Sequence, residues 1–116
     1  MKVLNWIIAL SGLWVFADIL ALFVPDFGRI PGYLWNHIII GFLLMIVGVW
    51  AARTGSAGTA KTLNWIAAGA GLWLMISSFV LRYPVINAGL WNDLIFGAVA
   101  FGLGVWAALT PPGVAG

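Results

Sequence analysis

Four apolar runs, at residues 4–24, 33–52, 63–81 and 90–109, constrain the fold of this chain more than any other feature. Each is about the 20 residues that an α-helix needs to cross a hydrocarbon core of roughly 30 Å. Lipid offers a backbone N–H no partner, so these runs must close their hydrogen bonds internally, as helices rather than open strands. The breaks between them hold residues that end helices: Pro25 and Pro31, then Gly55 and Gly58, then Pro84 and Asn87, with Pro111 and Pro112 after the last run. The expected fold is therefore an all-α membrane protein with four transmembrane helices. Composition removes the soluble alternative, because 64% of the 116 residues are hydrophobic and 7% are charged. A soluble domain of this size buries only about 60 to 70% of what its unfolded chain exposes. The N-terminal run follows Lys2 as a signal sequence would, but it is too long for the apolar region of one.

The runs form an internal repeat. A shift of 59 places matches Leu4, Asn5, Trp6, Ile7, Ala9, Gly12, Leu13, Trp14, Leu22 and Pro25 to Leu63, Asn64, Trp65, Ile66, Ala68, Gly71, Leu72, Trp73, Leu81 and Pro84. A shift of 56 matches Leu34, Trp35, Asn36, Ile39, Gly41, Gly48, Val49, Trp50, Ala51 and Ala52 to Leu90, Trp91, Asn92, Ile95, Gly97, Gly104, Val105, Trp106, Ala107 and Ala108. All eight tryptophans thereby fall into pairs. The organisation expected is a first transmembrane hairpin at residues 1–55, a connecting loop at 56–62, a second hairpin at 63–110 and a short tail at 111–116. With two helices per unit, the copies enter the membrane in the same direction and are parallel. Many alternating-access carriers instead use inverted repeats.

Lys2, Arg53 and Lys61 lie on one side of this arrangement, and Arg29 and Arg82 on the other. The bias favours both termini in the cytoplasm. Trp6, Trp50, Trp65 and Trp106 are then expected at the cytoplasmic interface and Trp35 and Trp91 at the opposite one, with Trp14 and Trp73 packed between helices.

The stretch from Gly71 to Leu81, G-L-W-L-M-I-S-S-F-V-L, followed by L-W-N at Leu90 to Asn92, resembles the SPW repeat family of small bacterial membrane proteins. The resemblance covers nearly the whole chain as two repeats and implies a bacterial inner-membrane protein, with no assigned activity. The family is named for a Ser-Pro-Trp triplet in the first helix of its unit. Here Ser77, Ser78 and Phe79 occupy the triplet in the second copy and Asp18, Ile19 and Leu20 in the first. Neither copy has the proline, the usual cause of a sharp kink.

Few residues carry chemistry. The formal charge of +2 comes from five basic and three acidic residues, a scarcity of acids rather than a basic patch, and no nucleic-acid partner is expected. Without cysteine there is no disulfide, thiolate nucleophile or Cys-ligated metal. One histidine and three aspartates do not make a metal cluster within one chain. No nucleophile elbow, phosphate loop or paired glutamates occur, so no catalysis is expected.

Asp18, deep in the first run, is either a proton-binding carboxylate or a hydrogen-bonded tie to Ser77, Ser78 or a partner chain, since buried membrane acids usually have a partner or a task. Ser11 lies on its face of the helix. His37, Gly41, Leu44, Gly48 and Ala52 recur at helical spacing, and Asp93, Gly97, Ala100, Gly104 and Ala108 repeat that face. Small residues let helices approach closely, so the second and fourth helices are expected to meet along Gly41, Gly48, Gly97 and Gly104, with His37 facing Asp93. Two other readings of His37 stand beside the pair: solvation at the interface, and ligation of a chlorophyll-type pigment through neutral imidazole. Asn5, Asn36, Asn64 and Asn92 read as helix caps and interface anchors.

The function that follows is non-catalytic. The chain reads as a small structural or accessory subunit packing against itself, as a homo-oligomer, or against a larger photosynthetic or respiratory membrane complex. Membrane lipid is its surroundings and no cofactor is required. A small proton-coupled transporter using Asp18 is the alternative.

Overall fold

The computed structural model describes residues 2–17, 31–80 and 87–110. They form four helices, α1 (Lys2–Ala17), α2 (Pro31–Arg53), α3 (Ala57–Val80) and α4 (Asn87–Leu109), with no strand among the described residues. Pro31 opens α2, where its fixed φ suits the first turn and its missing N–H would have had no intrahelical acceptor. Ser56 sets the start of α3. Its hydroxyl accepts the Thr59 N–H at 3.3 Å and its carbonyl accepts that of Ala60 at 3.0 Å, the pattern of an N-cap. Residues 57–62, expected as a loop, are therefore the first turns of α3, and the link between α2 and α3 is 54–56. Hydropathy marks where lipid contact begins, whereas backbone hydrogen bonds mark where the helix begins. Proline-free Ser77–Phe79 lies within the continuous helix α3.

One of the helices, α2, is long and apolar enough over Trp35–Arg53 to cross a membrane, while the apolar stretches described in α1 and α4, Val3–Ala17 and Asp93–Leu109, are shorter. Radial chemistry points the same way. Trp6, Trp35, Trp50, Trp65, Trp91 and Trp106 are exposed, as are Leu10, Ile39 and Ile46. Asn5, Ser11, Asn36, His37, Asn64, Ser77 and Asp93 are buried. In a water-soluble bundle so many large apolar side chains on the outside and polar ones inside are the exception.

In space the helices follow chain order around a ring. α1 packs on α2, α2 on α3, α3 on α4, and α4 returns to α1, so α2 and α4 lie on a diagonal. Ile8, Val15, Leu44, Ala67, Leu74 and Ala100 fill the centre.

The glycine faces pack within each hairpin, not between α2 and α4 as the spacing suggested. A Cβ on Gly48 would stand 2.6 Å from the Ala9 nitrogen and 2.8 Å from the Asn5 carbonyl oxygen, both on α1. One on Gly104 would stand 2.8 Å from the nitrogen of Ala68 and from the carbonyl oxygen of Asn64, both on α3. Gly41 faces Gly12 and Phe16, and Gly97 faces Gly71 and Met75. A small-residue stripe reports that a backbone comes close but does not say whose. The stripe of each hairpin is claimed by its own two helices, which are consecutive in the chain.

Candidate functional site

Near the N-terminal end of α2, two consecutive residues reach every other helix. Asn36 and His37 stand about two turns into α2, both buried, and point to different sides of it.

His37 turns toward the diagonal. Its Nε2 lies 2.9 Å from Oδ1 of Asp93 on α4, and neither side chain has any exposed surface. On the other side of the ring, Nδ1 is 3.2 Å from the carbonyl oxygen of Val15 on α1. A carbonyl only accepts, so this contact puts a proton on Nδ1. One proton then serves Nε2 and Oδ1 between them. Whether it sits on nitrogen, giving imidazolium and carboxylate, or on oxygen, giving imidazole and carboxylic acid, the pair is neutral overall. Neutrality spares the apolar interior the cost of an isolated charge, and breaking such a pair from one side strands a polar group there.

Asn36 turns toward α3. Its Nδ2 donates to Ser77 Oγ at 3.0 Å and its Oδ1 accepts from Trp73 Nε1 at 2.8 Å. Ser77 in turn donates to the Leu74 carbonyl at 3.0 Å. Both ends of the amide are thus used. Ser77 and Trp73 are one turn apart on α3, the spacing that puts two side chains on one face. Trp14, on α1, stacks on Phe96 of α4 with ring centroids 5.7 Å apart.

These contacts revise several expectations. His37 is not solvated at an interface, because it is fully buried. Pigment ligation loses its ligand, because Nδ1 is engaged by Val15 and Nε2 by Asp93. Asn5, Asn36 and Asn64 are not caps: each sits inside its helix and is buried, at 3%, 9% and 3% exposure. Asn92 falls in the interior of α4 as well. The layer of Asn36, Ser77 and Trp73 was not anticipated as a unit, although the i to i+4 relation of Trp73 and Ser77 on an apolar helix was its available signal. Ser11 bonds its own helix, donating to the Ile7 carbonyl at 2.9 Å. Asp18 lies outside the described residues. Gly41, Gly48, Gly97 and Gly104 serve close packing inside the hairpins, as described above.

At the other end of the bundle, where α1 and α3 begin, the buried Oδ1 atoms of Asn5 and Asn64 have no hydrogen-bond partner among the described residues. The two positions match under the 59-residue shift. No group of three or more metal-ligating side chains occurs among the described residues. What the polar layer does chemically is hold helices: α2 is tied through His37 to α1 and α4 and through Asn36 to α3.

The family model described as the SPW repeat domain matches residues 2–111. No curated protein and no solved structure matches the chain.

Proposed function

The chain belongs to the SPW repeat family, and from that premise we propose that it is a multi-pass protein of the bacterial inner membrane. In this reading four transmembrane helices form two parallel hairpin repeats, with both termini in the cytoplasm. It is a non-catalytic scaffold, a small structural or accessory subunit that packs against copies of itself or a larger membrane complex. The supporting observation is the use made of the buried polar groups on α2. Asn36 and His37 spend their bonding capacity on α1, α3 and α4. A bundle held this way presents a fixed apolar exterior to neighbours, as a structural subunit requires.

Gentle-detergent purification of the tagged chain from its native membrane, with mass spectrometry of co-purifying proteins, tests this. Stoichiometric partners or a defined homo-oligomer are the expected result; a lone monomer would overturn it. A proton-coupled carrier acting through Asp18 is the competing reading, supported by the place of this acid deep in the first apolar run, where ionisable groups usually have a partner or a task. Asp18→Asn separates the two. A scaffold retains its assembly, whereas a carrier loses proton-driven flux in proteoliposomes.

A further inference from the structure

The outer face of α2 differs from its counterpart on α4 in a way that points to a ligand. Phe42, Met45, Ile46, Val49, Trp50 and Arg53 line an open groove of about 560 Å³. Its walls are apolar, and the cation stands at the end of the helix. Arg53 is exposed and makes no ion pair with the described residues. Under the 56-residue shift the same positions on α4 are Ala98, Phe101, Gly102, Val105, Trp106 and Leu109. The tryptophan and valine are kept, while the cation is replaced by leucine and the walls Phe42 and Ile46 by alanine and glycine. General lipid contact would make equal demands on both faces, so it does not account for the difference.

Length and charge identify the occupant. Phe42 and Arg53 are 11 positions apart on α2. At 1.5 Å per residue that is about 16 Å, close to half of a hydrocarbon core of roughly 30 Å, or one leaflet. The groove spans about one leaflet and has a guanidinium at its mouth, the layout of a lipid with its headgroup at the interface. Guanidinium binds phosphate oxygens in bidentate fashion, and tryptophan favours the headgroup level. Lys61, exposed on the first turns of α3, adds positive charge at the same end of the bundle.

We propose that this groove holds one anionic phospholipid, with its phosphate on Arg53 and an acyl chain along Trp50, Ile46 and Phe42. The site rests on the membrane reading given above.

The full chain, reconstituted in nanodiscs of equal phosphatidylglycerol and phosphatidylcholine, is released into native mass spectrometry. The expected result is one retained phosphatidylglycerol per chain, favoured over phosphatidylcholine by about tenfold, the ratio that 1.4 kcal/mol corresponds to. Arg53→Gln abolishes the preference, and Trp50→Ala weakens retention of both lipids. Equal retention of the two lipids by the unaltered chain overturns the site, as does an undiminished preference in Arg53→Gln. So does a lipid-free dimer that cross-links through Ile46→Cys. Failure to enter nanodiscs at all overturns the membrane reading itself and is distinguishable from these outcomes.

Discussion

Replacing His37 and Asp93 singly and together measures what their contact contributes. Asp93→Leu leaves the Nδ1 tie to Val15 in place but deprives Nε2 of its oxygen; His37→Leu leaves a carboxyl group in an apolar interior. Stranding a buried polar group costs about 1 to 3 kcal/mol, and complete burial of both side chains puts each single variant toward the upper end. The double variant removes donor and acceptor together, so neither is left as a stranded polar group. It should therefore lose less than the sum of the single losses. Cycles on membrane-embedded polar pairs give couplings of about 0.6 kcal/mol on average and about 1.7 at most. A contact 2.9 Å long with no exposed surface belongs near the top of that range, at about 1.5 kcal/mol. Reversible unfolding in mixed micelles with increasing dodecyl sulfate, followed by fluorescence of the eight tryptophans, gives the four free energies. Additivity within about 0.5 kcal/mol, the behaviour of independent sites, would refute the pairing. Asp93→Asn adds a second reading. With Nδ1 protonated, Nε2 can accept from the asparagine amide, so this variant should lose only about 1 kcal/mol, an ordinary neutral hydrogen bond. A loss as large as that of Asp93→Leu would mean that charge, not hydrogen bonding, holds the contact.

The glycines divide into two sets with opposite expected responses. Gly48→Ala and Gly104→Ala push a methyl group to within 2.6 and 2.8 Å of a facing backbone nitrogen, and each should destabilise by about 1 to 3 kcal/mol as the helices of its hairpin part. Gly69→Ala and Gly102→Ala meet nothing within 4 Å and should gain up to about 1 kcal/mol from helix propensity, which thermal unfolding in detergent would register. Asn5→Leu and Asn64→Leu remove buried amide oxygens that have no hydrogen-bond partner among the described residues, and each should be neutral or stabilising by about 1 kcal/mol. A loss of more than about 2 kcal/mol in that assay would show that an ordered water satisfies them.

Individual residues show how far the sequence can be read. The helix count and the small-residue faces follow from run length and spacing, which depend only on 3.6-residue periodicity and bilayer thickness. His37 and Asp93 could be set opposite each other because the 56-residue shift puts them at one register. The partner of the glycine faces could not be read, because Gly48 looks the same whether α1 or α4 lies against it. Asn36 reads as a cap from sequence because asparagine beside tryptophan describes both an interface and a buried amide bonded to an indole. The choice between them depends on Ser77 and Trp73, 41 and 37 positions away. Ser56 is a legible start signal for α3, but one carried by capping chemistry, to which hydropathy is blind.

The His37–Asp93 contact joins positions that match in the two halves of the sequence yet carry different groups. Two copies of the first hairpin would oppose histidine to histidine, and two of the second would oppose aspartate to aspartate. Neither combination has one proton to share and no net charge. The halves are therefore not expected to substitute for one another. Separated and co-produced, they should recognise each other rather than themselves, and a single covalent chain guarantees that each histidine meets its acid at one-to-one stoichiometry.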